Sequence, residues 1–357
     1  MKSRVGNRVI GVLSIILLTG LAASDAFGQG DCGDDQFECG LDCCWMAEWG
    51  DPGEECAYLR PQHVFGVTTQ SAPHSSYDRL VEMNMKWARI DIGWKAIEKV
   101  KGQYNWSKTD SRVAACNQRN LIAVGHFGKA PTWATTNGTD TGPLTAEGQQ
   151  HWAEFVTALA SRYPSVTYWE PWNEPNSTTY WGGTVNQYFS QILKPAALAI
   201  HGINPNSKVI APTLTNNTGA GLSVSQFFDR LPPNASSYVD IIGQNYYNGS
   251  SFNQLYVNWN VLEQHYNRNG FSSQPIWIME TGKNTSNEYA QAQYIERMIY
   301  WQGFFPRIDN VFVYKLRDTT NKKYGVIRSN GIPKVSYYRL VDIYQLRCEC
   351  RGYPWCD

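Results

Sequence analysis

The chain contains 357 residues, and its 31 Lys and Arg side chains balance 31 Asp and Glu side chains, so the formal net charge is zero. This length fits one large domain of about 250–300 residues with extensions. The neutral charge argues against nucleic acid or an anionic membrane surface as a partner, because binding either one requires a basic patch. Most of the 14 Trp and 21 Tyr are expected to pack in the core, but such a surplus also suits sugar rings, which stack on aromatic faces.

Residues 1–28 have the pattern of a targeting segment. Lys2, Arg4 and Arg8 precede an apolar run over residues 9–21, and small residues follow that run. This order predicts a signal peptide that is removed from the mature protein. The run is too short for a membrane span of about 20 residues, and no later stretch reaches that length. We therefore expect a secreted protein, extracellular or periplasmic, that does not cross a membrane.

Nine cysteines in an exported chain predict disulfides. Only Cys116 is internal; it falls in a helical pattern and is expected to be free and buried. The other eight allow up to four bridges, some of which would join a Cys-rich N-terminal extension over residues 29–60 to a tail over residues 347–357. Zinc is the alternative for these cysteines, and the lack of a Cys-x-x-Cys pair or a neighbouring His disfavours it. The eight are Cys32, Cys39, Cys43, Cys44, Cys56, Cys348, Cys350 and Cys356.

Between residues 61 and 346, strand-like and helix-like patterns alternate eight times. The strand patterns cover residues 63–69, 87–94, 121–127, 166–172, 208–214, 239–247, 275–281 and 311–316. The helical patterns cover residues 75–86, 108–120, 145–163, 184–203, 223–231, 252–269, 286–304 and 334–345.

Eight such units in about 285 residues predict an α/β fold of the (β/α)8 TIM barrel type. An open, doubly wound sheet is the alternative, but no Gly-x-Gly-x-x-Gly motif opens a helix. A barrel also pairs its first and last strands, which would bring the two Cys-rich ends of the chain close enough for cross-linking.

Two glutamates lie at the ends of apolar strand patterns. Glu174 follows residues 166–172, where Pro171 and Pro175 end the strand because proline cannot donate to a ladder. Glu280 ends the pattern over residues 275–280 and is followed by Thr-Gly. Active sites of barrels lie at the carboxyl ends of the strands, and glycoside hydrolysis uses two carboxyl groups. One such Glu alone would favour a salt-bridged or capping acid, whereas the pair favours catalysis.

The motifs around these glutamates resemble those of clan A of the glycoside hydrolases, which are retaining (β/α)8 enzymes. The wider pattern is most similar to family 39 and to related bacterial enzymes that degrade exopolysaccharides. The asparagine–glutamate–proline triplet is only moderately specific, but the set, in order and on the expected strands, is strong. The matching stretches are WARIDIGW (87–94), IE (97–98), GQYNW (102–106), APTWA (130–134), WNEPN (172–176), YKLRD (314–318) and Tyr324-Gly325 with Lys334.

The resemblance implies that Glu174 is the acid/base and Glu280 the nucleophile. The chemistry agrees with this assignment, because the acid needs a pKa raised by burial or by a nearby carboxylate. The nucleophile must stay ionised, which cationic and hydroxyl donors favour. Retaining enzymes hold the two carboxyl groups about 5–5.5 Å apart and inverting enzymes about 6.5–9.5 Å. The sequence leaves that separation open.

Three further residues receive substrate-binding roles from the resemblance. Asn173 would hydrogen-bond the sugar 2-hydroxyl, although it could instead cap the turn. Arg89 lies in an apolar strand, where an unpaired charge is costly, and would either steady the nucleophile or form a structural ion pair. Tyr247 would donate to the nucleophile. Asn245 departs from the family, which often has histidine two residues before this tyrosine.

Further candidates for sugar binding come from strand ends and loops. His126 ends the third strand pattern and could bind a sugar hydroxyl, with a satisfied core histidine as the alternative. Trp94, Trp133 and Trp181 are candidates to stack on sugars, although packing is favoured for each one taken singly. Tyr246, beside Tyr247, is expected to face away from the site because side chains alternate along a strand.

Other chemistries lack their motifs. The sequence has no His-Glu-x-x-His, no Gly-x-Ser-x-Gly and no phosphate-binding glycine loop. We therefore expect a monomeric, secreted, retaining β-glycoside hydrolase with a carbohydrate substrate and neither metal nor cofactor. Endo action on a polysaccharide is preferred because no appended domain is visible to close the cleft. The alternatives are an exo-acting β-xylosidase or β-glycosidase, a transglycosylase, and a barrel that binds carbohydrate without cleaving it.

Overall fold

The computed structural model describes residues 64–70, 72–216, 219–247 and 252–350. The predicted signal peptide, the predicted N-terminal extension and residues 351–357 of the predicted tail lie outside these ranges. The side chains of the eight terminal cysteines, and with them the predicted disulfides, also lie outside the described part. Cys116 is free and buried, which confirms its prediction.

Nine parallel strands form one sheet with the order β5-β4-β3-β2-β1-β9-β8-β7-β6. The first and last barrel strands are neighbours, as expected, because β1 pairs with β9. The strands are β1 (Val64–Thr68), β2 (Trp87–Gly93), β3 (Ile122–Gly128), β4 (Tyr168–Pro171), β5 (Lys208–Val209), β6 (Leu214–Thr215), β7 (Ile242–Asn245), β8 (Ile276–Thr281) and β9 (Ile308–Val313).

The two ends of the sheet meet through one predicted strand that is split in two. The pattern over residues 208–214 was expected to be continuous, but it forms β5 and β6 with Ala211 and Pro212 between them. Proline has no N–H for the ladder, which accounts for the interruption. Ile210 bridges Ile241 in parallel, and the Ala211 N–H donates to the Ile241 carbonyl at 2.9 Å. These contacts close the sheet into a TIM-barrel-like α/β fold.

Helices follow the strands at the places that the periodicity predicted. Several begin at side-chain caps: the hydroxyls of Thr184 and Ser223 both take part in capping boxes, and the Thr145 hydroxyl accepts from the Gly148 N–H. The helices are α1 (Asp78–Glu82), α2 (Trp94–Ile97), α3 (Ser107–Asn117), α4 (Ala146–Arg162), α5 (Val185–Tyr188), α6 (Lys194–Ile203), α7 (Val224–Phe228), α8 (Phe252–Arg268), α9 (Glu288–Phe304) and α10 (Val335–Cys350). A π-helical segment, Phe189–Leu193, joins α5 to α6.

Some element boundaries differ from the prediction near the carboxyl ends of strands. Trp94 begins the short helix α2 instead of ending β2, and β9 covers Ile308–Val313 instead of residues 311–316. Among the described residues, no helix combines the length and apolar character that crossing a membrane requires.

Apolar side chains form two layers around the sheet. The inner layer fills the barrel with one cluster: Trp87, Val124, Ile210, Ile241, Trp277, Met279 and Phe312. Side chains on the other face of the strands pack against the helices in a much larger cluster. This alternation leaves the inward-facing positions nearest the carboxyl ends of the strands for polar side chains, as in other barrels of this type.

Candidate active site

Polar side chains from four strands converge above the inner apolar layer. Arg89 is the third of the seven residues of β2, and Glu170 lies in β4 just before the loop that carries Asn173 and Glu174. Asn245 ends β7, and Glu280 is the penultimate residue of β8. Glu170, Asn245 and Glu280 lie at or next to the carboxyl ends of their strands, where the active sites of such barrels lie, and the long side chain of Arg89 joins them from an earlier position in its strand.

A β-bulge in β8 sets the direction of Glu280. Gln244 of β7 pairs with Ile278 of β8, and the next residue of β7, Asn245, pairs with Glu280. Strand β8 therefore has one extra residue, Met279, between these two pairs. The register also shifts against β9 over the same stretch. Strict alternation would place Met279 and Glu280 on opposite faces, yet Met279 belongs to the inner cluster and Glu280 joins the site. The extra residue re-aims the carboxylate, a common use of bulges near active sites.

Arg89 is the hub of the hydrogen bonding at this site. Its Nε and Nη2 donate to the two carboxylate oxygens of Glu170 at 2.5 and 2.9 Å, and its Nη1 donates to Glu280 Oε1 at 2.6 Å. Nη2 also lies 3.4 Å from Asn173 Oδ1. Arg89 is 1% exposed and Glu170 is 0% exposed. Burial lowers the pKa of Arg89, but the charges of Glu170 and Glu280 outweigh it and hold that pKa above its ordinary value.

Glu280 accepts hydrogen bonds on both carboxylate oxygens. Besides the contact of Oε1 with Arg89, Oε2 accepts from the Tyr247 hydroxyl at 2.8 Å. Burial, and then the charge of Glu280, raise the pKa of Tyr247 well above its ordinary value. The phenol therefore stays a donor, so the carboxylate faces one guanidinium and one hydroxyl group.

Glu174 has a different environment. Its carboxyl oxygen Oε1 accepts from the Asn245 side-chain amide at 2.9 Å, and the same amide lies 3.3 Å from Asn173 Oδ1. Burial raises the pKa of Glu174 to about 7, the hydrogen bond from Asn245 opposes that rise, and the charge of Glu280 adds to it. Glu174 also has a positive φ of 44°, in the left-handed region that side chains other than glycine rarely adopt. Its backbone N–H donates to the Thr213 carbonyl at 2.9 Å, which holds this turn in place.

We expect the change Glu174→Gln to stabilise the fold in a pH-dependent way. The unfolded carboxyl ionises near pH 4.5, whereas the folded one keeps its proton to about pH 7. Because the folded state binds more protons in this window, stability falls as the pH rises through it. The amide has no proton to lose, so at about pH 8 the variant should be more stable than the wild type by ~2–3 kcal/mol. Thermal unfolding at pH 8 and pH 4 measures this, and an equal gain at both values contradicts it.

Solved structures share this fold, although no protein-family model and no curated protein matches the sequence. A family 39 glycoside hydrolase from Bacteroides cellulosilyticus has a TM-score of 0.64 at 21% identity, over 80% of this chain and 64% of that one. A monomeric β-xylosidase from Caulobacter crescentus has a TM-score of 0.61 at 17% identity, over 82% of this chain and 66% of that one. The chain has the fold of the clan A glycoside hydrolases. It spans slightly less than two thirds of the length of these two structures.

Xylanase 10B from Thermotoga maritima gives the same result over its full length. Its TM-score is 0.59 at 15% identity, covering 85% of this chain and 100% of that one. The clan A fold predicted by resemblance is therefore confirmed for the described part of the chain.

Glu170 belongs to this site, but the sequence analysis did not single it out. It lies between Trp169 and Pro171 in an apolar strand. The only signal in the sequence was that a charged side chain buried in such a strand needs a partner of opposite charge. That rule was applied to Arg89, and the structure shows that Glu170 and Glu280 share its guanidinium.

His126 is only partly buried and lies beside the same mouth. Its Nδ1 is 3.1 Å from Asp91 Oδ1, and its enclosed Nε2 has no hydrogen-bond partner within the described ranges of the chain. In the sheet register His126 pairs with Asp91 on one side and with Glu170 on the other. Its role towards a sugar hydroxyl stays a prediction.

The structure excludes Trp94 and Trp181 as sugar-stacking candidates, because both are buried. Trp94 is 0% exposed and donates from its indole N–H to the buried Glu98 carboxylate at 2.7 Å. Trp181 is 3% exposed and donates to the Thr184 carbonyl at 2.9 Å. Both indoles are fixed in the core, so a sugar cannot reach their faces. Trp133 is only partly buried, and its role stays a prediction.

Tyr246 and Asp318 both have buried side chains. Tyr246 is 1% exposed and packs its ring at 6.1 Å from that of Trp259, which confirms that it faces away from the site. Asp318 pairs with the buried Lys334 at 3.0 Å rather than with its chain neighbour Arg317. Arg317 donates instead to the Ser329 carbonyl.

Aromatic side chains after β9 complete the edge of the mouth. The rings of Tyr314 and Tyr324 lie 6.2 and 5.9 Å from that of Tyr247, and the Tyr314 hydroxyl donates to Gln70 at 2.6 Å. Lys315 is 3% exposed and its Nζ lies 5.3 Å from the centre of the Tyr314 ring. Burial lowers the pKa of Lys315. The sequence had matched these residues to the family without assigning a role to them.

Proposed function

We propose that this protein is a retaining β-glycoside hydrolase in which Glu174 is the acid/base and Glu280 the nucleophile. The proposal rests on one observation, the unlike environments of two carboxyl groups at one barrel mouth. Glu174 has a pKa of about 7, which suits a group that must be protonated for the first step and ionised for the second. Glu280 accepts from a guanidinium and a phenol, which favour negative charge.

In the first step Glu280 would attack the anomeric carbon while Glu174 gives its proton to the departing glycosidic oxygen. The carbon–oxygen bond to the leaving group breaks, and a bond from the carbon to a Glu280 oxygen forms. Arg89 and Tyr247 orient that carboxylate so that one oxygen lies towards the substrate. The Asn173 side chain, held by Arg89 and Asn245, is positioned for the sugar 2-hydroxyl.

In the second step Glu174, now ionised, would take a proton from water as that water attacks the anomeric carbon. The bond to Glu280 breaks, and the sugar leaves with its original anomeric configuration after two inversions. Asn245 donates to Glu174 at 2.9 Å, a contact that stabilises the ionised form present in this step. Each residue named here acts through a contact of the apo site, and the scheme requires no metal and no cofactor.

A screen of polysaccharides and aryl β-glycosides tests this function. We expect the wild type to release reducing sugar or phenol with the β-anomer formed first, observed by NMR. Glu280→Gln is the control, and an unchanged function in that variant would support the alternative of a non-catalytic carbohydrate-binding barrel. Product analysis with an added acceptor sugar separates hydrolysis from transglycosylation.

Cleavage within chains, secretion and a monomeric state belong to the same proposal. The pattern of residues 1–28 supports secretion, and one structure with this fold is described as a monomeric β-xylosidase. Measuring product lengths from a polymer distinguishes endo from exo action, and light scattering measures the oligomeric state.

A further inference from the structure

A cavity of about 460 Å³ lies at the carboxyl ends of β2 and β3, outside the catalytic cluster. Lys95 and Lys99 line it from the residues after β2, and Thr132, Trp133 and Asp140 line it from the segment after β3. We call it the Trp133 cavity. Its volume is in the range of about 300–1,000 Å³ that small-ligand sites occupy, and Trp133 provides an aromatic wall that is only partly buried.

The Trp133 cavity is connected to the catalytic cluster by a continuous chain of contacts. Asp140 contacts the ammonium groups of both Lys95 and Lys129, the latter at 3.7 Å. Lys129 lies 5.9 Å from the centre of the Tyr180 ring. The Tyr180 carbonyl accepts from the indole of Trp172, two residues before Glu174. Burial raises the pKa of Tyr180, and the charges of Glu174 and Glu280 add to that rise.

The charge around the Trp133 cavity is positive, although the whole chain has a net charge of zero. Lys95 and Lys129 contact Asp140, and Lys99 lines the same cavity. A fourth ammonium group, that of Lys101, lies 5.4 Å from the centre of the Trp133 ring and pairs with Glu147 at 2.6 Å. Lys99 is exposed and has no ion pair or hydrogen bond from its ammonium among the described residues. The nearby Glu98 does not pair with these lysines, because its carboxylate is buried and hydrogen-bonded to Trp94, Gly102 and His151.

We propose that the Trp133 cavity is a distal subsite that binds an acidic sugar unit of the same saccharide chain that the catalytic cluster cleaves. The proposal rests on the proposed hydrolase function and adds the substrate class, a glycan carrying carboxylate groups. Trp133 would stack on the sugar ring, and Lys99 would pair with its carboxylate. Lys95 and Lys129 already share Asp140, and Lys101 already pairs with Glu147, so Lys99 is the cation at this cavity that is left to recognise the ligand.

Binding to a catalytically silent chain tests the subsite apart from hydrolysis. Calorimetry on the full-length Glu280→Gln protein would use oligomannuronate, oligogalacturonate and glucuronate-substituted xylo-oligosaccharides, each with its carboxyl-reduced counterpart. We expect at least one acidic probe to bind more tightly than its reduced form. Adding Lys99→Glu should lower the affinity for that acidic probe about 5- to 10-fold more than the affinity for its reduced form. The difference should shrink with added salt, because exposed charges are screened.

Lys86→Glu is the matched control. Lys86 is exposed and precedes β2, at the opposite end of the barrel, so its reversal should leave the ratio of acidic to reduced affinity unchanged. Circular dichroism checks that both variants fold. Any of three results would overturn the subsite. Lys99→Glu could lower the affinity for acidic and reduced probes equally, both lysine variants could show the same change, or no acidic probe could bind. Acidic binding that depends on Lys99, without hydrolysis by the wild type, would support the subsite and contradict the hydrolase function.

Discussion

Glu280→Ala is expected to lower kcat on every β-glycoside substrate by roughly 10⁴-fold, as removal of a covalent catalyst does elsewhere. The substitution removes the atom that forms the glycosyl–enzyme bond, and it also leaves the Arg89 guanidinium and the Tyr247 hydroxyl without this acceptor. The loss should fall on activated and unactivated aryl glycosides alike, because neither can form the intermediate. Steady-state kinetics on a 2,4-dinitrophenyl and a phenyl glycoside measure it.

Added azide gives this prediction a stereochemical test. In Glu280→Ala the small anion fits the space of the missing carboxylate and attacks from the same face, so a single inversion should produce an α-glycosyl azide. The control is Glu154→Gln, an exposed carboxyl on α4 with 51% of its side chain accessible, which should behave as the wild type does. A β-glycosyl azide from Glu280→Ala, or a loss of less than about tenfold, would remove Glu280 from the role of nucleophile.

The regular elements of the barrel were predictable from the sequence because they depend on local periodicity. Alternating apolar residues and helix caps such as Thr145 mark strands and helices without knowledge of what packs against them. The interruption between β5 and β6 was missed, even though Pro212 was visible. A proline in a strand pattern indicates an edge strand or an interruption of the strand. Because a closed barrel has no edge strands, Pro212 should have been taken to interrupt the strand.

The candidate site was only partly predictable, since its geometry depends on contacts distant in sequence. Strand-end position and motif located Glu174 and Glu280. The bulge that turns Glu280 inward comes from the pairing of β8 with both of its neighbours, which no local pattern encodes. The tryptophans show the same limit. Trp94 and Trp133 occupy similar places after β2 and β3, but one indole is sealed in the core and the other is partly buried beside a cavity.

Glu174→Ala should separate substrates by their leaving groups. A general acid contributes about 10²–10⁴-fold, and only where the departing oxygen needs its proton. Phenyl glycosides and natural saccharides should therefore lose about 10³-fold in kcat/KM, whereas dinitrophenyl glycosides should lose little. With the base also absent, the glycosyl enzyme should accumulate on the activated substrate. Azide should then raise turnover and give a β-glycosyl azide, the opposite anomer from that of Glu280→Ala.

The pH profile provides a check that does not depend on azide. Because Glu174 must be protonated in the first step and has a pKa of about 7, kcat/KM of the wild type should fall above neutral pH, tending to about tenfold per pH unit. Glu174→Ala should lack this fall in kcat/KM, the alkaline limb of the pH profile, on dinitrophenyl substrates. Asn245→Ala removes a hydrogen bond that lowers the pKa of Glu174, so it should move the limb to higher pH. If the limb persists in Glu174→Ala and does not move in Asn245→Ala, the titrating group is not Glu174, and the proton donor must be sought elsewhere at the barrel mouth.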